Sequence, residues 1–128
     1  MPTQDWRQTT HELGEALRPL RAGAPEPMKA FGALARASLE SKALDVKTKE
    51  LIALAIAVAT RCDGCIAFHA EAAERHGASR EEVLETMAMA IYMGAGPSVM
   101  YAAQALEAFD QFADIRRARE THELEAAA

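Results

Sequence analysis

Two cysteines, five prolines, seven glycines and an aromatic share of 5% are what this 128-residue chain has least of. So few aromatics argue against a β-sheet protein, which needs aromatic and β-branched side chains to cover its pleated faces. Two cysteines cannot form the disulfide framework of a small secreted domain. Basic residues are outnumbered, 14 against 19 acidic, for a net charge of −5, and no basic tract stands out. Nucleic acid is therefore not an expected partner. Nor is a membrane. The longest apolar run, Leu51 to Ala59, is nearly half alanine and far shorter than the roughly 18 residues a span requires. The first residues, MPTQDWRQTT, lack a basic segment followed by an apolar one, so no secretory signal is read and the reducing cytoplasm is the expected compartment.

What is present is alanine, at 29 positions, within a chain that is 50% hydrophobic and 26% charged. That mix excludes disorder over most of the length. Alanine is also the best helix former, so the expected fold is all-α. The length suits one domain, here residues 1–128, with a core over about 31–112, an N-terminal helix over about 4–20 and a charged tail over about 114–128.

Apolar spacing predicts about six helices. Trp6, Leu13, Leu17 and Leu20 share one face of the first, which RAGAPEP (Arg21 to Pro27) breaks. Pro27 opens the second, with Met28, Phe31, Ala35 and Leu39 inward. Asp45 caps a third from Val46 to Thr60, apolar on nearly all sides from Leu51 and so expected to be central. A turn at Arg61–Gly64 leads to a fourth that ends at His76, with Gly77 closing it. Ser79 and Glu82 form a capping-box pattern for the fifth, lined by Val83, Leu84, Met87, Ala88 and Ile91. Gly94-Ala95-Gly96-Pro97 reads as a break before a sixth, with Val99, Ala102, Ala103, Leu106, Phe109 and Ala113 inward. The tail either continues that helix or frays. Met87, Met89, Met93 and Met100 read as core or subunit interface, and Tyr92 and Tyr101 as core.

The chemistry is concentrated in ELIALAIAVATRCDGCIAFH, Glu50 to His69. A thiolate, not a thiol, is the nucleophile, and a helix N-terminus favours it. The C-x-x-C spacing of Cys62 and Cys65 at a helix start lets the two sulfurs meet in a disulfide, and either can attack while the other resolves. His69 follows Cys65 by four residues, the register that stacks two side chains on one helix face, where an imidazole can take a thiol proton. Glu50 by itself reads as a first-turn glutamate that complements its helix dipole. If the third and fourth helices pack together it can instead reach His69 and orient the ring. A zinc site built on both His69 and His76 is excluded. Seven residues on one helix separate them by about 10.5 Å, whereas zinc ligands lie about 2.0–2.1 Å from the metal. Cys62, Cys65 and His69 with a fourth ligand stay open as a metal site. His11 and His122 lie in polar terminal regions and read as solvent-exposed.

These residues resemble the alkylhydroperoxidase D-like core of the carboxymuconolactone decarboxylase superfamily. The likeness rests on Glu50, the alanine-rich helix, Cys62-x-x-Cys65-x-x-x-His69, Gly77-Ala78-Ser79-x-Glu81-Glu82, and Met93–Pro97 with Tyr101-Ala102. It spans about Phe31 to Phe112. The resemblance implies an all-α helical bundle assembled as a trimer or hexamer. It implies thiol-dependent reduction of hydroperoxides or disulfides, without a cofactor or metal. By position, Cys65 would be the peroxidatic cysteine, Cys62 the more exposed resolving partner, and Glu50 and His69 the proton relay. Gly64 stands where the better-studied peroxidase of the family has a histidine, so that relay member is missing. The superfamily's true decarboxylases lack the cysteine pair, which makes lactone decarboxylation a poor fit.

Three functions follow as expectations. The leading one is an antioxidant oxidoreductase that reduces hydroperoxides and is recharged by an external dithiol or a protein reductant. The second is a general disulfide reductase using the same dithiol. The third is a non-catalytic oligomer whose thiols hold zinc or sense oxidation.

Overall fold

A computed structural model describes all residues, Met1–Ala128, and contains helices only. They are α1 (Trp6–Gly23), α2 (Pro25–Leu39), α3 (Val46–Ala59), α4 (Asp63–Arg75) and α5 (Arg80–Ala127). Helices α3, α4 and α5 pack mutually and form the centre, α1 lies against α4 and α5, and α2 touches only α1 and α3. No helix is long and apolar enough to cross a membrane.

Local chemistry explains the boundaries. Asp45 accepts a hydrogen bond from Thr48 N and caps α3, as its sequence position predicts. Ser79 and Glu82 complete the capping box of α5. Gly77, at φ 86°, takes the left-handed conformation after α4 that glycine adopts without strain. The expected break at Arg21–Pro27 shrinks to one residue, Ala24, and α2 begins at Pro25 rather than Pro27. Proline fits the first turn of a helix, where its missing N–H is not needed.

Five helices replace six because Gly94–Pro97 is not a loop. Helical geometry resumes on both sides of one residue, Ala95 (φ 56°, ψ −145°), so the fifth and sixth predicted helices form one kinked α5. The kink falls just before Pro97, whose ring denies the preceding turn its usual hydrogen bond. The charged tail continues this helix to Ala127.

Ten of the 19 residues in the buried core are alanine, joined by Trp6, Leu51, Leu54, Val58, Ile66, Val83, Met87, Phe109 and Phe112. Such small side chains let the three central helices approach closely. Trp6 is fully buried. Its end of the chain is tied to α5, where Gln111 accepts from Trp6 N and donates to Gln4 O.

Several expected core positions lie outside. Leu13 and Leu20 of α1 are exposed, as are Phe31 of α2 and Leu84, Ala88, Val99 and Ala103 of α5. Tyr92 is exposed and not core, while Tyr101 is half-buried. Met87 is core, whereas Met89, Met93 and Met100 are exposed. Even α3, expected to be buried all round, shows Ile52 and Ile56 to solvent. Three central helices cannot cover every side of one another.

Candidate active site

The turn between α3 and α4 holds the cysteines. Helix α3 ends in a Schellman motif: Arg61 N donates to Val58 O, and Cys62 N to Ala57 O. The motif puts Arg61 in the left-handed region, φ 57°, where glycine is usual. Cys62 follows with extended backbone and becomes the N-cap of α4. Its Sγ accepts a hydrogen bond from Cys65 N at 3.2 Å. One of the unpaired N–H groups that every helix start presents is therefore satisfied by sulfur.

Cys62 and Cys65 are joined in a disulfide, with their Cα atoms 5.2 Å apart. Cys65 is exposed and Cys62 half-buried. This reverses the order of exposure implied by the resemblance. Gly64 lies beneath α1. A Cβ there would stand 2.9 Å from Leu13 Cδ1, so a larger residue between the cysteines would require the Leu13 side chain to turn aside.

Glu50 and His69 meet. The packing of α3 on α4 sets Glu50 Oε2 2.6 Å from His69 Nδ1. Glu50 is 3% exposed, and the His69 side chain 33%. A buried carboxylate without a hydrogen-bonding partner is costly, and His69 is the partner it has. With Nδ1–H donating to Glu50, neutral His69 keeps an unprotonated Nε2, the tautomer suited to accepting a proton.

Cys62, Cys65, His69 and Glu50 thus lie on two packed helices and the turn between them. His76, His11 and His122 are exposed. No three His, Cys, Asp or Glu side chains of the chain gather as metal ligands would. Two features escaped the sequence reading: the capping sulfur of Cys62 and the left-handed Arg61. The Schellman turn carries no glycine at its left-handed position, so its usual sequence sign is missing.

Residues 25–108 match the profile of the carboxymuconolactone decarboxylase family. The chain belongs to the carboxymuconolactone decarboxylase family. A family member from Legionella pneumophila, solved in its apo form, is similar in structure, with a TM-score of 0.82 and 51% identity, covering 84% of this chain and 96% of that one. Another family member, from Thermotoga maritima and described as possibly involved in antioxidative response, has a TM-score of 0.74 and 28% identity, covering 91% of this chain and 97% of that one. An uncharacterized protein of Cupriavidus necator is 40% identical over 108 residues, 84% of this chain and 96% of that one.

Proposed function

We propose that this carboxymuconolactone decarboxylase family protein is an antioxidant thiol oxidoreductase that reduces hydroperoxides. The observation that carries this reading is the 2.6 Å contact between Glu50 and His69, on the helix that begins at the cysteine pair. In the reduced protein, His69 takes the proton of Cys65, four residues before it, and Glu50 holds the ring. The Cys65 thiolate attacks the terminal oxygen of the hydroperoxide. The O–O bond breaks, the alkoxide leaves as an alcohol with the proton from His69, and Cys65 becomes a sulfenic acid. The Cys62 thiol displaces hydroxide from that sulfur, water is lost and the disulfide closes. An external dithiol reopens it by exchange, at the cost of its own oxidation. Two electrons pass from that dithiol to the peroxide in each cycle.

The exposure of Cys65 supports its role as the attacking sulfur. It also suits a second reading, a disulfide reductase, since exchange needs an open sulfur. A reducing compartment such as the cytoplasm would supply the dithiol. The exposed Phe31 and Leu34 of α2, with Tyr92 and Met100 of α5, support assembly into a trimer or hexamer, which light scattering at micromolar concentration tests.

Stopped-flow consumption of cumene hydroperoxide by the reduced protein tests the activity itself. Consumption should be lost in Cys65→Ser. A Cys65→Ser variant as fast as the parent would overturn the proposal, and a parent that reduces a small aromatic disulfide but no hydroperoxide would select the second reading.

A further inference from the structure

A cavity of about 670 Å³ opens between α3 and α5, beside the kink. Its volume falls within the range of small-molecule sites. Ile52 and Ile56 of α3 and Met89 and Met93 of α5 form its apolar walls, and all four are exposed. Apolar surface left in water favours an occupant that removes it.

Two polar groups break this lining. Ser98, 5% exposed, lines the cavity. Arg61 lines the cavity as well, and it takes part in none of the chain's nine ion pairs. Thr86, the other hydroxyl there, is already bonded to Glu82 O. Arg61 is also the left-handed residue of the Schellman turn. Glycine would fill that position without strain, so an arginine there departs from the residue the backbone favours. Its chain neighbour is Cys62.

We propose that this cavity binds a small amphipathic carboxylate, with its apolar body between α3 and α5 and its carboxylate paired with Arg61. Neither cysteine, nor His69, nor Glu50 lines this cavity, so it is a binding site separate from the thiol chemistry proposed above. The guanidinium fork matches a carboxylate in two parallel hydrogen bonds, and the walls select a hydrocarbon body.

Calorimetric titration of the full chain with octanoate, and with 1-octanol as the uncharged comparison, tests the site without turnover. Octanoate should bind at one per chain. Arg61→Gln should weaken octanoate about tenfold while 1-octanol holds, Arg61→Lys should recover part of the loss, and Ala55→Phe should block both by filling the cavity. Equal octanoate affinity in the parent and in Arg61→Gln would overturn the proposal. Absence of octanoate binding would overturn it as well, and a change of oligomer mass in Ala55→Phe would then make the cavity a contact between copies.

Discussion

Glu50, buried on α3, accepts a hydrogen bond from His69 Nδ1 on α4 across 2.6 Å. One contact serves both fold and chemistry. It satisfies a carboxylate that packing has removed from water, and it selects the imidazole tautomer whose Nε2 is free to take a proton. Glu50→Gln keeps the size and removes the charge. Its amide can donate to Nδ1, which would shift the ring proton to Nε2 and leave the wrong nitrogen as acceptor. We expect peroxide reduction to fall by about 10²-fold or more with the helical circular dichroism unchanged. A positioning role further requires the pH profile of kcat/KM to change shape as well as height. A uniform loss at every pH would argue for a structural role only.

Removing the sulfur at the N-cap separates the two halves of the proposed cycle. Cys62→Ser retains an oxygen able to accept the Cys65 N–H bond, so α4 should still start at the same place. Cys65 can then attack but not be resolved. One equivalent of hydroperoxide should be consumed per chain, and mass spectrometry should find one added oxygen on Cys65, trapped by a sulfenic-acid reagent. Multiple turnovers in this variant would show that an external thiol resolves Cys65 directly and that Cys62 is dispensable.

The acid limb of stability should depend on Glu82. Its carboxyl lies below its ordinary value of 4.5, first because Lys47 hydrogen-bonds to it and next because Ser79 N does. Lys47 is correspondingly raised above 10.5 by the same bond, 2.9 Å long. A depressed carboxyl contributes stability that is fully present above its unfolded value and lost as pH falls through its folded one. A raised amine contributes stability that is present below its unfolded value and lost as pH rises through its folded one. The pair therefore supports the α3–α5 contact between these limits. Glu82→Gln should lower Tm near neutral pH and flatten its decline below pH 4.5, as followed by thermal melts across pH. Identical curves for parent and variant would show that the bond adds nothing, the usual result for exposed pairs.

The capping residues and the pairing of the two cysteines were readable from the sequence because both are written locally. Asp45, Ser79 with Glu82, and Gly77 act within one turn of where they stand. Cys65 and His69 share one helix, so their register follows from a spacing of four. Glu50 could be proposed but not placed, since its partner lies 19 residues away and only packing joins them. Exposure was the least legible property. Helix periodicity assigns Phe31, Leu84 and Val99 to apolar faces, and the faces are real, but a single chain has too few helices to cover them. GAGP has turn chemistry and reads as a break, whereas the chain bends there at Ala95. Helical hydrogen bonding on both sides, and the packing of Ala90 and Ala102 in one core, hold it as a bend.

That bend makes Gly94 a sensitive position. A Cβ on Gly94 would clash with Ser98 Oγ and come within 2.9 Å of Ser98 Cβ. Rotating the Ser98 hydroxyl away relieves the first clash but not the second, since Cβ cannot rotate. Either the kink opens or Ser98 moves into the cavity it lines. Alanine ordinarily stabilises a helix relative to glycine by roughly 1 kcal/mol. Here we expect the reverse, a loss of about 1–3 kcal/mol for Gly94→Ala, measured by urea denaturation. Ser98→Gly made in the same chain removes both clashing atoms, so Gly94→Ala should cost less in that background than alone. Equal costs in the two backgrounds would mean that the clash at Ser98 is not what keeps glycine at position 94.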